Sequence, residues 1–177
     1  PGTIDWGATP KAFLERESAI VWTTTGNLTN IRENAPFDFG VAMLPAKVQR
    51  GAPTGGGSFF LFKDASEEQK AAAVDFLQWL TAPEQAARWS IATGYVAPSF
   101  AAWETDAMKA YTADFPAALV ARDQLEFAVA ELATYDNSRI TQVLNSALEA
   151  AIGGQKTPAQ ALADAQAEAD AILSAYR

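Results

Sequence analysis

The sequence contains no histidine and no cysteine among its 177 residues. Histidine is the commonest general base and the commonest transition-metal ligand in proteins. Because this chain has none, Ser-His-Asp, Cys-His and His-metal sites within it are excluded. The absence of cysteine excludes a disulfide scaffold and thiolate chemistry, and is compatible with an oxidising compartment. A carboxylate-based enzyme remains formally open on these grounds. No motif in the sequence indicates a catalytic residue, a metal site or a cofactor, so we expect none and expect a protein that is not an enzyme.

Long apolar runs and basic clusters are also missing. No run of about 18 apolar residues is present, so no segment is expected to span a bilayer. The net charge is −8, and the basic face that nucleic-acid-binding proteins usually carry is absent, so we expect no nucleic-acid partner. With 49% hydrophobic residues the chain has enough apolar content for a sizeable core, and its length favours one domain.

The first residues, Pro1-Gly2-Thr3, include no initiator methionine, charged segment or apolar segment of a signal peptide. We expect either that a signal peptide was removed together with other sequence, or that the chain is a natural, proteolysed or engineered fragment.

The first third of the chain has a mixed α/β pattern. Thr9-Pro10 is typical of a helix start. Short apolar runs at residues 19–23, 37–44 and 58–62 predict strands, and residues 46–57 form a glycine-rich loop. Such short strands are too few for a self-sufficient doubly wound sheet. We therefore expect strands from elsewhere to complete the sheet.

The rest of the chain, residues 64–177, has mainly helical patterns, in contrast to the α/β part at residues 1–63. Ser66 with Gln69, and Thr81 with Glu84, match the capping-box pattern and predict helices to about residues 80 and 91. Gly94 is expected to end the second of these helices. Residues 137–152 are predicted as one helix, and a last helix is predicted to start at residues 157–158.

Four segments, in this order and spacing, resemble the C-terminal half of extracellular solute-binding proteins of ABC importers, in the family that includes maltose and glycerol-3-phosphate binders. They are residues 19–28 (AIVWTTTGNL) with 30–32 (NIR), residues 39–45 (FGVAMLP) with 55–58 (GGGS), residues 72–80 with 81–84 (TAPE) and 93–98 (TGYVAP), and residues 153–158 (GGQKTP) with 161–162 (AL). The detail is most similar to the glycerol-3-phosphate branch.

The resemblance implies the fold and the function. The family has two α/β lobes that hold a ligand between them, so the expected fold class is α/β and helix-rich, with residues 1–177 as a portion of the C-terminal lobe and the N-terminal lobe missing. The implied function is binding of glycerol-3-phosphate, a glycerophosphodiester or a related polar solute for an ABC permease. The implied location is periplasmic or extracellular, either lipid-anchored or soluble.

Candidate ligand contacts begin at a strand-to-helix turn. Thr24, Thr25 and Gly26 lie where hydroxyls and helix N-terminal amides can donate to a polar ligand. The resemblance places Thr25 at the position of a ligand-contacting serine, whereas the alternative for these residues is ordinary N-capping. Trp22 is interpreted either as a platform for a sugar ring or as a core residue.

Two further candidates come from glycine-containing loops. Gly55 and Gly56 would let backbone amides approach a ligand closely, and the alternative is a flexible loop before a strand. Tyr95 follows a helix-ending glycine, where its ring can stack on a sugar or its hydroxyl can donate. The alternative for Tyr95 is a core position, but the family's Thr-Gly-Tyr loop reaches the cleft.

The phosphate-binding arginine of the glycerol-phosphate branch has no clear counterpart in this sequence. Arginine pairs with phosphate through two parallel hydrogen bonds. A straight alignment places Ala133 near the family's arginine, and Arg139 matches only after a register shift. A solvated or helix-capping role is the alternative for Arg139, so a neutral polyol, a sugar or a phosphodiester remains open as the ligand.

Two rival functions differ in class. A carboxylate glycosidase would need two acids at a defined separation, whereas Asp164 and Glu168 share a helix face in the manner of a solvated surface. A helical interaction domain without a small ligand is the second rival. An alternative within the family is a sugar- or oligosaccharide-binding protein.

Overall fold

The computed structural model describes residues 6–176, so Pro1-Gly2-Thr3 and the C-terminal Arg177 lie outside the described residues. The chain forms two compact units. One is Gly7–Val129, and the other contains Trp6 and residues 130–176.

The first unit carries most of the secondary structure. Its elements are α1 (Thr9–Leu14), α2 (Leu28–Asn34), β1 (Ala52–Thr54), α3 (Glu67–Leu80), α4 (Pro83–Thr93), α5 (Phe100–Trp103), α6 (Asp106–Asp114), α7 (Ala118–Asp123) and β2 (Ala128–Ala130), whose last residue is assigned to the second unit. Strands β1 and β2 pair in a two-stranded sheet. The second unit contains α8 (Asn137–Ile152) and α9 (Pro158–Leu173).

Helix α3 begins at the predicted capping box. The Ser66 hydroxyl accepts a hydrogen bond from the Gln69 amide at 3.2 Å, and the Gln69 side chain accepts one from the Ser66 amide at 2.9 Å. These bonds satisfy amides that would otherwise lack a partner in the first helical turn.

The second predicted capping box, at Thr81 and Glu84, is wrong. Thr81 ends α3, and its hydroxyl donates to the Leu77 carbonyl at 2.8 Å. Ala82 precedes α4 without a side-chain cap, and Pro83 is the first helical residue. Because the proline ring already holds φ near its helical value and has no amide hydrogen, α4 starts there without a capping hydroxyl.

The strands predicted at residues 19–23, 37–44 and 58–62 do not form within the described part of the chain. A β-strand requires a neighbouring strand to receive its backbone hydrogen bonds. Large apolar side chains in these segments are exposed instead, including Ile20 at 83% and Phe60 at 81%. The predicted helix-rich character is confirmed, whereas the three predicted strands are absent from residues 6–176.

The principal core of the first unit lies between α4, α5 and α6. Its buried members are Ala86, Ala87, Ala97, Ala102 and Met108, with Ile91, Trp103 and Tyr111 packed against them. Alanines let the helix backbones approach closely, and Ile91, near the end of α4, packs against the same cluster. The loop that follows α4 therefore starts from a well-anchored helix end.

Helix α2 is tied to α6 through Arg32. Its guanidinium lies 4.5 Å from the centroid of the Phe115 ring and forms an ion pair with Asp114 at 2.5 Å. We expect Arg32→Ala to lower the unfolding free energy by about 1–2 kcal/mol, because both the cation–π contact and the packing of the side-chain stem are lost. Asp114→Ala should cost less than about 1 kcal/mol, since this carboxylate is largely exposed. Urea unfolding of both variants measures the difference, and equal losses would contradict a role for the aromatic contact.

Candidate functional site

The threonine turn, residues 23–27, leads into α2 and is held by its own side chains. The Thr24 hydroxyl accepts from the Gly26 amide at 3.4 Å, and the Asn27 side-chain amide donates to the Thr23 hydroxyl at 2.7 Å. Thr24 is thus the N-cap of the short 3-10 helix Thr25–Asn27. Thr24 therefore has the N-capping role that was the alternative to ligand contact. Thr25 is half-buried and is the first residue of the helical segment.

The tyrosine loop, residues 93–97, packs directly on this turn. Gly94 ends α4 in the left-handed conformation, with φ of 93°. A Cβ atom on Gly94 would lie 2.6 Å from the Leu28 Cβ and 2.7 Å from the Thr25 carbonyl oxygen. In addition, the Thr29 hydroxyl donates to the Ile91 carbonyl at 2.9 Å. Two segments about 70 residues apart in sequence are therefore in close contact.

The Tyr95 ring lies over Gly26. A Cβ atom on Gly26 would be 2.4 Å from Cζ and 2.6 and 2.8 Å from the two Cε atoms of that ring. Because these three carbons are the nearest atoms and the phenolic oxygen is not among them, the glycine covers one ring face near its hydroxyl end. The side chain remains 45% exposed. Tyr95 is thus half open to solvent, and the core alternative does not describe it.

Both backbone polar groups of Tyr95 are bonded to side chains of α4. The Tyr95 amide donates to the Thr93 hydroxyl at 3.1 Å, and the Tyr95 carbonyl accepts from the Ser90 hydroxyl at 2.5 Å. Sequence reasoning missed Ser90 and Thr93. The available signal was a serine on the same helical face as Ala86 and Ala87, a face that the structure buries.

The other candidates of the first unit lie in open surroundings. The Trp22 side chain is 68% exposed, which argues against the core alternative for this residue. Gly55 and Gly56 are exposed, and a Cβ atom on Gly56 would have no neighbour within 4 Å. The structure therefore brings Thr25, Gly26 and Tyr95 together, and shows room for a ligand or another chain segment around Gly56.

Arg139 belongs to the second unit, near the start of α8. It forms an ion pair with Asp136 at 3.1 Å, and its side chain is 65% exposed. It lines a groove of about 220 Å³ together with Gln142, Val143, Ser146, Glu168 and Ile172. Carboxylates lie beside the guanidinium and along the groove. Because they repel a phosphate, Arg139 would bind one less tightly here than an unpaired arginine would.

Within residues 6–176, no group of three or more acidic side chains is arranged to hold a metal ion. Asp164, one of the paired acids noted above, forms an ion pair with Lys156 at 2.8 Å, as a solvated surface residue does. None of the helices in the described part of the chain is long and apolar enough to cross a membrane.

Comparison with known proteins identifies the family. Residues 2–117 match the family described as bacterial extracellular solute-binding protein. The chain belongs to this family, as the sequence resemblance predicts.

Several named relatives are similar over most of the chain. The sn-glycerol-3-phosphate-binding periplasmic protein UgpB of Pectobacterium atrosepticum is 33% identical over 177 aligned residues, covering 93% of this chain and 39% of the relative. The UgpB of Salmonella typhimurium is 31% identical over 175 residues, covering 93% of this chain and 40% of the relative. This chain thus spans about 40% of the length of these relatives. Their names describe binding of sn-glycerol-3-phosphate.

A solved structure supports the fold. The crystal structure of UgpB from Mycobacterium tuberculosis in complex with glycerophosphocholine matches with a TM-score of 0.76 and 29% identity. The match covers 86% of this chain and 39% of that one. The helix-rich arrangement is therefore that of part of a UgpB fold. The relatives from Pectobacterium and Salmonella are named as periplasmic proteins.

Proposed function

We propose that this chain is the C-terminal-lobe part of the solute-binding component of an ABC importer, located in the periplasm or outside the cell. Residues Thr24, Thr25, Gly26 and Tyr95 would form one wall of its ligand cleft. The observation that carries the proposal is the packing of the Tyr95 ring on Gly26, directly beside Thr25. A missing N-terminal lobe would supply the opposite wall, and a membrane permease would receive the ligand.

The chemistry of this wall suits a small polar solute. It offers the Thr25 hydroxyl and the exposed part of the Tyr95 ring, which together can bond and orient hydroxyl or phosphate oxygens. We propose glycerol-3-phosphate, a glycerophosphodiester or a related polar solute as the ligand, in line with the names of the relatives. Gly55 and Gly56 would add backbone amides from the glycine-rich loop.

Arg139 would be a further contact, to a phosphate group of the ligand. Its ion pair with Asp136 would have to open before the guanidinium could form two hydrogen bonds with a phosphate. A ligand whose phosphate is esterified on both sides carries less charge and depends less on such a residue. The geometry therefore favours a glycerophosphodiester over a free phosphomonoester.

A sugar or oligosaccharide is the second candidate ligand. The exposed Trp22 favours it, because an indole ring with 68% exposure can serve as a stacking platform for a sugar ring. Only the sugar would depend on Trp22, since a glycerophosphodiester needs no indole ring for stacking.

Calorimetry on the full-length polypeptide that carries this sequence tests the assignment. Glycerol-3-phosphate, glycerophosphocholine and maltose serve as the three ligands. We expect saturable binding of glycerophosphocholine or glycerol-3-phosphate and no heat with maltose. Binding of maltose alone would establish the second candidate, and binding of none of the three would overturn the ligand assignment.

Thr25→Ala is expected to weaken binding of the preferred glycerol phosphate about tenfold, because a hydrogen bond to the ligand would be lost. Calorimetry measures the change in Kd. The control is Thr112→Ala, which removes a part-buried hydroxyl that donates to the Met108 carbonyl at 3.0 Å, away from the threonine turn. An unchanged Kd for Thr25→Ala would remove this residue from the proposed site.

A further inference from the structure

The burial of Ser90 distinguishes it from every other polar residue of the described chain. It is 5% exposed, and among residues 7–176 no other polar or charged residue is buried. It lies on the face of α4 that carries Ala86 and Ala87 into the core. Burial of a hydroxyl costs free energy unless it forms a hydrogen bond, so the partner of the Ser90 hydroxyl indicates what this residue does.

That partner is the Tyr95 carbonyl, which accepts from the Ser90 hydroxyl at 2.5 Å. The Ser90 carbonyl in turn accepts from the Gly94 amide at 2.7 Å. One residue of α4 is therefore bonded to the tyrosine loop at two successive positions, on both sides of the peptide bond joining Gly94 to Tyr95. Main-chain rotation at Tyr95 would break the hydroxyl bond.

Rotation at this point would also move the ring. The ring carbons lie less than 3 Å from the position of a Gly26 Cβ, and a rotation about φ of Tyr95 would carry the carbonyl away from Ser90 and the ring away from Gly26 together. The Thr93 hydroxyl restrains the amide side of the same residue at 3.1 Å. The Thr93 hydroxyl is exposed and also donates to the Trp89 carbonyl at 2.8 Å. It therefore restrains Tyr95 less specifically than the Ser90 hydroxyl does.

We propose that Ser90 is a positioning residue of the ligand site, which acts by fixing the backbone of Tyr95 so that its ring stays on Gly26. This proposal rests on the proposed function, in which Tyr95 contacts the ligand. Ser90 itself is buried behind the loop and touches no ligand. Its contribution is preorganisation, because a ring already in place need not be ordered when the ligand binds.

The first test is the affinity of the full-length polypeptide for glycerol-3-phosphate and glycerophosphocholine. We expect Ser90→Ala to weaken binding about tenfold, the equivalent of one hydrogen bond. Ser90→Thr keeps a hydroxyl at the same Cβ and should restore most of the affinity. Ser90→Cys should be intermediate, because a thiol is a weak donor, and it serves as the second variant if Ser90→Ala does not fold.

Ser99→Ala is the matched control for a purely structural effect. The Ser99 hydroxyl accepts from the Ala102 amide at 3.3 Å as the cap of α5, so its loss affects stability in the same unit without touching Tyr95. We expect this control to lower the urea midpoint and leave the Kd unchanged. If Ser90→Ala likewise lowers only the midpoint, Ser90 is structural and the proposal is overturned.

A crystal structure of Ser90→Ala, or of Ser90→Cys, separates this proposal from the proposed function. We expect the Tyr95 ring to leave Gly26 in the variant and to lie over it in the wild type. This outcome can be read even if the wild type binds neither glycerol phosphate, in which case the ligand assignment alone fails. A ring that stays on Gly26 in the variant would overturn the positioning role, whatever ligand the protein binds.

Discussion

Replacement of Gly94 by alanine is expected to lower the free energy of unfolding by about 3 kcal/mol. With φ of 93° the residue is in a region that L-amino acids avoid, which costs about 1–2 kcal/mol for alanine. The added Cβ would also meet the Leu28 Cβ at 2.6 Å and the Thr25 carbonyl oxygen at 2.7 Å. These neighbours cannot move without opening the contact between α4 and α2, and such overpacking costs about 1–3 kcal/mol.

Gly154 provides a matched control for this prediction. It also follows a helix, with φ of 73°, but a Cβ atom there would have nothing within 4 Å. Gly154→Ala should therefore cost only the backbone strain, about 1–2 kcal/mol. Urea titration of the two variants beside the wild type measures both losses. Equal losses would mean that the close approach of the tyrosine loop to α2 contributes nothing to stability.

Replacement of Gly26 by alanine is expected to impair ligand binding far more than folding. The new Cβ would occupy space that the Tyr95 ring now fills, at 2.4–2.8 Å from three of its carbons. The ring is the end of a half-exposed side chain, so it can swing away at little cost in stability, less than about 1 kcal/mol. The proposed contact of Tyr95 with the ligand would be lost, which for an aromatic anchor corresponds to roughly thirtyfold in Kd.

Gly40→Ala is the control for the loss of a glycine elsewhere in the same unit, because a Cβ there has open space around it. Calorimetry with the preferred glycerol phosphate and urea unfolding are carried out on both variants. We expect Gly40→Ala to match the wild type in Kd. A Gly26→Ala protein that binds as tightly as the wild type would show that the ring position is irrelevant to the ligand.

The helices could be predicted from sequence because their ends depend on nearby residues. Ser66 and Gln69 cap each other across three positions, and Thr157 accepts from the Gln160 amide at 3.3 Å in the same way. The strands could not be predicted reliably, because a strand at residues 58–62 needs a partner from elsewhere in space. The error at Thr81 has a local cause, since the proline at residue 83 shifts the helix start by one residue.

The candidate site could be predicted only in part, because some of its contacts depend on how the helices pack in space. The family resemblance predicts Thr25, Gly26 and Tyr95 as ligand contacts, and in the structure the Tyr95 ring packs on Gly26, beside Thr25. Ser90 was missed because its importance depends on the direction of α4 relative to the core. Periodicity shows only that a serine shares a face with alanines. It does not show that its hydroxyl reaches the backbone of a residue five positions later.

The exposed apolar segment at residues 58–62 affects how the chain behaves at high concentration. Phe59, Phe60, Leu61 and Phe62 are between 47% and 83% exposed. This uncharged run has the composition of segments that pair edge to edge into cross-β aggregates. Lys63 and Asp64 follow immediately and add charges that oppose such stacking. Because the segment is uncovered in the folded chain as well, its resistance to aggregation depends on these flanking charges, a requirement that the affinity for a solute does not reveal.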